Sequence, residues 1–487
     1  MTNSDPVPRP AEPDGTTVSE DEEQGEPVED FGPAPPKGMA LVLAWSKDQP
    51  WRIGETLFLP EEFEQTVWLG RGSNTAGEPP KATFLQQRPG QWVPSSAITA
   101  RAISRYQMAL RHVGAAYVAH NEGRCPLLRN GVEATECALA AGDLLQLGKQ
   151  LVLLCCQRPA ELPGDHGCYP SFPFGQPDAY GLVGESPAIW QLRRQIRFVA
   201  ARPDHVLITG RSGSGKELVA HAIHALSSRG GHAMVSRNAA TLPETLIDAE
   251  LFGNAKNYPN PGMAERPGLI GEARGSTLFL DEVGELAHTA QAHLLRVLDH
   301  GEHQRLGEAH ARVSDFRLIA ATNREVSALK PELLARFTFR IAVPDLNARK
   351  EDVPLLMRHF LRRMAERGDA AALGLFAAGD PRGEPRIPLW WASRFLRHRY
   401  QTNVRELEAL LWVAMGAPEG PPTAPLVEAT PAERIRQCLD ENNGSIEHTW
   451  RALGLSSRFS LLRLIKRYGL EVRRRPSRAR GSAGHTQ

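Results

Sequence analysis

Residues 205–226 read HVLITGRSGSGKELVAHAIHAL, and no other stretch limits the possible folds as sharply. An apolar β-forming run, HVLITG, enters a glycine-rich turn, GRSGSGK at 210–216, which opens without a break into a helix-patterned segment. Glycines at 210, 213 and 215 let backbone N–H groups converge on one point, and the helix start adds its positive end. Strand, glycine turn and helix in that order cradle phosphate. Gly210, Arg211, Ser212, Gly213, Ser214, Gly215, Lys216 and Glu217 are therefore candidate nucleotide-binding residues, with Lys216 reaching the β- and γ-phosphates. Strands and helices go on alternating through TLFLDE (277–282), AQAHLLRVLDH (290–300) and FRLIAATN (316–323), so a parallel sheet with helices on its faces is expected.

TLFLDE ends in two carboxylates at the C-terminal end of a buried strand, where open α/β sheets bind ligands. Phosphoryl transfer needs positioning and charge neutralisation, so Asp281 is expected to hold Mg2+ through water and Glu282 to orient the attacking water. The usual Ser/Thr after the loop lysine is Glu217 here, which leaves the metal leaning on Asp281. ATP and Mg2+ are the implied cofactors.

At 487 residues the chain exceeds one core, and roughly 150 residues per domain suggests about three. Residues 1–37 hold ten acidic against two basic residues with few large apolar ones, and read as a disordered acidic tail. Short apolar runs broken by Gly, Pro and Asn fill 38–158, the pattern of an all-β sandwich. A Pro/Gly/Asp-rich linker at 159–178 precedes the α/β part (179–345), and a mostly helical stretch, 346–418, follows it. A second linker (419–430) leads to a small all-α end domain (431–472) and a basic tail (473–487). Residues 431–487 carry twelve Lys/Arg against five Asp/Glu, which is where a nucleic acid would bind. No apolar run approaches the roughly 18 residues of a membrane span. The N-terminus MTNSDPVPRPAEPDG has no secretory pattern, so a cytoplasmic protein without a membrane partner is expected. Six cysteines without C-x-x-C spacing read as reduced thiols.

GRSGSGKE, AELFGNAK, GSTLFLDEVGEL, QAHLLRVLDHGEHQRLG, FRLIAATNRE and NVRELEALL, in this order, resemble the AAA+ domain of bacterial enhancer-binding proteins, the sigma-54-dependent transcriptional activators. The resemblance covers about 179–418 and implies an α/β P-loop ATPase with a helical lid. It makes Asn238 the asparagine that restrains the catalytic glutamate, Thr322 and Asn323 the first sensor, and Arg405 the lid arginine that reads the γ-phosphate. It also implies a ring homo-oligomer in which a neighbour's arginines complete the site. In LKPELLARF (329–337), Arg336 fits the second such arginine and Lys330 stands at the first.

WLGRG (68–72), ISRYQ (103–107), RNG (129–131) and GDLLQLG (142–148) resemble a forkhead-associated (FHA) domain. That resemblance implies capture of a phosphothreonine protein from a Ser/Thr-kinase pathway by Arg71, Ser104 and Arg105. Gln107 stands at the family's histidine position. At the other end, residues 433–470 read helix, helix, tight turn GLSS, helix, similar to a Fis-type helix-turn-helix. Ser457, Arg458, Ser460 and Arg463 are then the base-facing residues, with Lys466 and Arg467 on phosphates of an activator or operator DNA site.

In the enhancer-binding family, ELFG leads into a loop whose tip touches sigma-54 in RNA polymerase. Here that tip is NYPNPG, Asn257 to Gly262, without the family's phenylalanine and threonine. Two prolines fix φ there and remove donors, so a stiffer loop is expected. Three readings follow: an ATP-driven sigma-54-dependent regulator with phosphothreonine input, a DNA-binding repressor or sigma-54-independent regulator, and a phosphopeptide scaffold with a vestigial ATPase.

Overall fold

The computed structural model describes residues 36–60, 62, 63, 65–162, 169–416, 446 and 458–467. The chain divides into two compact units, Met1–Gly420 and Pro421–Gln487. Residues 1–35 of the acidic tail, Ser457, the basic tail and most of the expected end domain lie outside the described residues.

The N-terminal region is a sandwich of an eight-stranded and a four-stranded sheet. Lys37–Ser46 pairs antiparallel with Leu151–Pro159 at the centre of the larger sheet. Both strands are apolar on both faces, and the structure supplies a cover for each face. Leu41, Leu43, Leu151, Leu153 and Cys155 point into the sandwich core. Ala44, Trp45, Val152 and Leu154 join a separate cluster built mainly from the helical lid. A hairpin, Leu85–Arg88 with Gln91–Pro94, lengthens the larger sheet through the strand Thr56–Phe58.

The α/β core holds a five-stranded parallel sheet, ordered Val235–Asn238, Thr277–Asp281, Arg317–Thr322, Val206–Thr209, Phe339–Ala342. Its strands are apolar runs because helices cover both faces. Val206, Ile208, Phe279 and Ile319 meet the helices Pro187–Ala200 and Lys216–Leu226 on one side. Leu207, Leu278, Leu280 and Leu318 meet the helix His288–His300 on the other. The lid comprises Val353–Glu366, Ala370–Leu373, Leu389–Arg397 and Asn403–Met415, packed around Phe360, Trp391, Phe395, Leu407 and Leu411.

The stretch expected to act as a linker, 159–178, is packed where it is described. Phe172 stacks on Trp190, and buried Asp178 pairs with Arg193 at 3.0 Å. A buried polar knot ties this region to both neighbours: Arg158 donates to Gln87 at 2.6 Å, to Glu351 at 2.6 Å and to the Glu185 carbonyl at 2.5 Å. Arg88 of the inserted hairpin donates to Glu185 at 2.7 Å. No helix among the described residues is long and apolar enough to cross a membrane. Cys125, Cys137, Cys155 and Cys156 are free thiols, and burial pushes Cys155 up to about 12.

Candidate functional site

Parallel strands bring their C-terminal ends to one edge of the sheet, and the candidate residues gather there. Thr209 is in register with Thr322, and Asn238 with Asp281. The glycine turn leaves Thr209 and ends at Lys216, the first residue of its helix. Gly213 and Gly215 sit at φ 72° and 105°, left-handed backbone that glycine adopts freely. Gly213 is also a close approach, since a Cβ there would lie 2.2 Å from the Thr402 carbonyl of the lid.

Lys216 is buried, and its ammonium donates to the Gly210 carbonyl at 3.0 Å. Ser214 Oγ is buried without a partner, an orphan hydroxyl within the turn. A convergent glycine turn with an unsatisfied hydroxyl and a lysine at its mouth fits a nucleotide phosphate. Asp281 Oδ1 accepts from the Glu282 N–H at 2.9 Å. Glu282 has φ 55°, a strained position for a residue with a side chain, and its carboxylate accepts from the Asn323 N–H at 3.2 Å. Among the described residues no three His, Cys, Asp or Glu side chains cluster as a metal cage. A divalent ion beside Asp281 would thus take most of its oxygens from phosphate and water, as Mg2+ does.

Thr322 is buried, and its hydroxyl accepts from the Arg324 N–H. Asn238 turns its amide oxygen to the Ala240 N–H at 2.9 Å, and Arg405 reaches Ser212 Oγ at 3.4 Å. Arg211 pairs with Asp345 at 3.6 Å. Arg336 pairs with Asp299 within its own subunit, and the Lys330 backbone N–H donates to Gln291 at 2.9 Å.

Glu302–His303 and Arg312–Val313 form a short hairpin beside the loop that contains NYPNPG. The loop is closed on itself. Asn254 donates to the carbonyls of Ala255, Tyr258 and Ala264, and Asn257 Oδ1 accepts from the Gly262 N–H at 2.9 Å. The Asn257 N–H reaches the Met263 carbonyl at 2.8 Å, and Tyr258 lies against Gly307, where a Cβ would meet its ring at 2.4 Å.

At the sandwich end, the Arg71 N–H donates to the Ser104 carbonyl at 2.9 Å, and Ser104 Oγ accepts from the Arg124 N–H at 3.1 Å. Arg105 is exposed and 3.8 Å from Glu78. Gln107 is buried and ties the loops together through the Ser104 N–H, Asn121 and the Cys125 carbonyl. Lys81, unnoticed in the sequence, lies beneath the same loop. Its ammonium donates to the carbonyls of Arg71 and Ser73 and sits 5.0 Å from the Tyr106 ring. In the second unit, the helix Arg458–Arg467 buries Leu461 and Ile465 and exposes Arg458, Arg463 and Lys466. Ser460 and Arg467 lie on this helix, with side chains outside the described set.

A phosphate loop, an acidic strand end and a helical lid over one edge of a five-stranded parallel sheet define a P-loop core of the AAA+ type. Residues 182–346 match the sigma-54 interaction domain. The chain is 35% identical over 381 residues to the anaerobic nitric oxide reductase transcription regulator NorR of Escherichia coli, covering 69% of this chain and 70% of NorR. It is 41% identical over 288 residues to the transcriptional regulatory protein ZraR of Escherichia coli, covering 57% of this chain and 63% of ZraR. The chain therefore spans less than two thirds of ZraR. The crystal structure of NtrX from Brucella abortus in complex with ADP is similar at 31% identity, covering 60% of this chain and 70% of NtrX with a TM-score of 0.43. The chain belongs to the family of sigma-54-dependent transcriptional regulators.

Proposed function

We propose that this chain is an ATP-hydrolysing, DNA-binding transcription regulator whose N-terminal sandwich is an FHA domain that captures a phosphothreonine protein. The observation that carries the ATPase reading is the meeting of the glycine turn, Asp281-Glu282 and Asn323 at one sheet edge. Bound ATP with Mg2+ supplies the phosphoanhydride to be cleaved. Lys216 and the turn amides would hold the phosphates, Asp281 would hold the divalent ion through water, which would neutralise phosphate charge, and Glu282 would orient the attacking water. Arg405 lies over the loop as a lid contact, while Arg336 and Lys330 belong to the face offered to a neighbour in a ring.

In the sandwich, Arg71, Ser104 and Arg105 surround the phosphate site, with Gln107 and Lys81 setting the loop that presents them. In the end domain, Ser457, Arg458, Ser460 and Arg463 face bases, and Lys466 and Arg467 meet phosphates. Glu282→Ala is expected to abolish ATP hydrolysis with ATP binding retained, and Arg71→Ala to abolish phosphothreonine-peptide binding by calorimetry. Unchanged hydrolysis in the first variant would remove the assigned role of Glu282.

The loop Asn257 to Gly262 favours a second reading of the output. Its internal hydrogen bonds and the packing of Tyr258 support a preformed knob over a mobile contact with sigma-54. On this reading the chain regulates through DNA binding without opening a sigma-54 promoter. A purified sigma-54 polymerase assay decides between them: open complex formation with the native loop sinks the sigma-54-independent reading.

A further inference from the structure

We propose that Asn403 is a positioning residue that fastens the lid to the phosphate loop and thereby shapes the loop for nucleotide phosphates. The inference rests on the nucleotide reading of the loop and adds a residue to it.

Asn403 opens the last lid helix, Asn403–Met415, and is 1% exposed. An asparagine at a helix start ordinarily caps its own helix by accepting from an N–H two or three residues on. Asn403 instead spends its amide on two other segments. Nδ2 donates to the Ser212 carbonyl at 3.0 Å, and Oδ1 accepts from the Leu346 N–H at 2.8 Å. One partner requires a donor and the other an acceptor, which fixes the amide orientation and excludes aspartate as an equivalent. The backbone sits at φ 53°, a left-handed conformation that asparagine tolerates better than most residues.

Neighbouring groups reinforce the junction. The Val404 N–H donates to the Gly213 carbonyl at 3.1 Å, and the Thr402 carbonyl occupies the space where a Cβ on residue 213 would lie. The lid thus grips Ser212 and Gly213, two successive residues of the turn. Leu346 opens the segment that leads from the sheet into the lid. One side chain therefore joins loop, hinge and lid, so the shape of the loop and the position of the lid are set together. By linkage, a ligand that prefers one loop shape shifts the lid, and the reverse.

The test uses the full chain with Asn403→Gly and Asn403→Asp, and ADP as the probe. Glycine accepts the left-handed backbone and loses both side-chain bonds; aspartate keeps the acceptor and sets a carboxylate against the Ser212 carbonyl. Both variants are expected to bind ADP about tenfold more weakly by calorimetry, the size of one or two lost hydrogen bonds. Hydrogen exchange on the nucleotide-free proteins should show the Leu346 amide faster in Asn403→Gly and unchanged in Asn403→Asp. Wild-type ADP affinity in Asn403→Asp overturns the proposal, as does an unchanged Leu346 amide in Asn403→Gly. Failure of the wild-type chain to bind ADP would sink the nucleotide reading, and the exchange pattern would still decide whether Asn403 holds the hinge.

Discussion

On the side facing the sandwich, the lid shares one continuous apolar cluster with Ala44, Trp45, Val152 and Leu154, and Trp45 Nε1 donates to the Ile387 carbonyl at 2.8 Å. On the side facing the phosphate loop, it is held by hydrogen bonds from Asn403, Val404 and Arg405 to Ser212 and Gly213. Apolar burial is worth roughly 25 cal/mol per Å2 and is lost only by exposing area to water, whereas a net hydrogen bond is worth about 1 kcal/mol and can be exchanged for another. The two sides are therefore held by different forces. An apolar seam joins sandwich to lid, and exchangeable polar contacts join lid to phosphate loop.

The largest test removes one partner of the apolar junction. Without residues 1–158, the lid would expose the surface that Trp45, Val152 and Leu154 cover, and the remaining chain is expected to aggregate or to lose its cooperative thermal transition. A truncated chain that melts like the full protein would break the comparison, because the sandwich would then be a detachable module.

Next comes the buried ion pair in that junction. Arg158 is 1% exposed, and burial raises the Glu351 carboxyl above its usual range despite the guanidinium 2.6 Å away. Removing one partner of such a pair typically costs about 3–5 kcal/mol, whereas replacing both by apolar groups costs less. Glu351→Ala is expected to fall within that range in denaturant unfolding, and Arg158→Met/Glu351→Leu to recover part of it. A loss below about 1 kcal/mol for Glu351→Ala would show that the pair is solvated and the junction loosely packed.

The two junctions also differ in how far the sequence announces them. HVLITGRSGSGK and TLFLDE are local patterns that depend on neighbours within a few residues, so the strand, glycine turn and helix and the acidic strand end are legible. The partners Trp45 and Ile387 are 342 positions apart, and no local pattern joins them. The available signal was subtler: QLVLLCC is apolar at successive positions, which a sandwich strand with one wet face would not be. The Pro/Gly/Asp content of 159–178 suggested a spacer, yet Phe172 and Asp178 find Trp190 and Arg193 across the turn. Asn403 stood in plain view within NVREL, but composition cannot tell a capping asparagine from one bonded to another subdomain.

Acid should act on the α/β core and the lid to a smaller extent. Burial lowers His205 and His359 to about 4, and His205 Nδ1 accepts from the Leu318 N–H, a bond only the unprotonated nitrogen can make. Both are neutral in the fold, while the unfolded chain takes up protons near pH 6.5. Their contribution is therefore complete above about 6.5 and is lost as pH falls toward about 4, by roughly 1 kcal/mol each over the first unit. His205→Gln should flatten the dependence of the unfolding midpoint between pH 6.5 and 5. An equally steep profile in that variant would place the titrating group elsewhere.

The smallest effect sharpens the contrast at the phosphate-loop side. Arg211 and Asp345 approach to 3.6 Å with the arginine 65% exposed, so water and salt screen the pair and side-chain entropy opposes it. Arg211→Ala is expected to change stability by less than about 0.5 kcal/mol, within the usual range for exposed pairs. The same substitution removes a cation from the rim of the phosphate turn. A drop in ADP affinity with an unchanged melting temperature would identify Arg211 as a ligand contact rather than a strut. A clear loss of stability would instead mean that the phosphate-loop junction carries structural weight beyond the Asn403 bonds, and the contrast between an apolar and a weakly bonded side of the lid would fail.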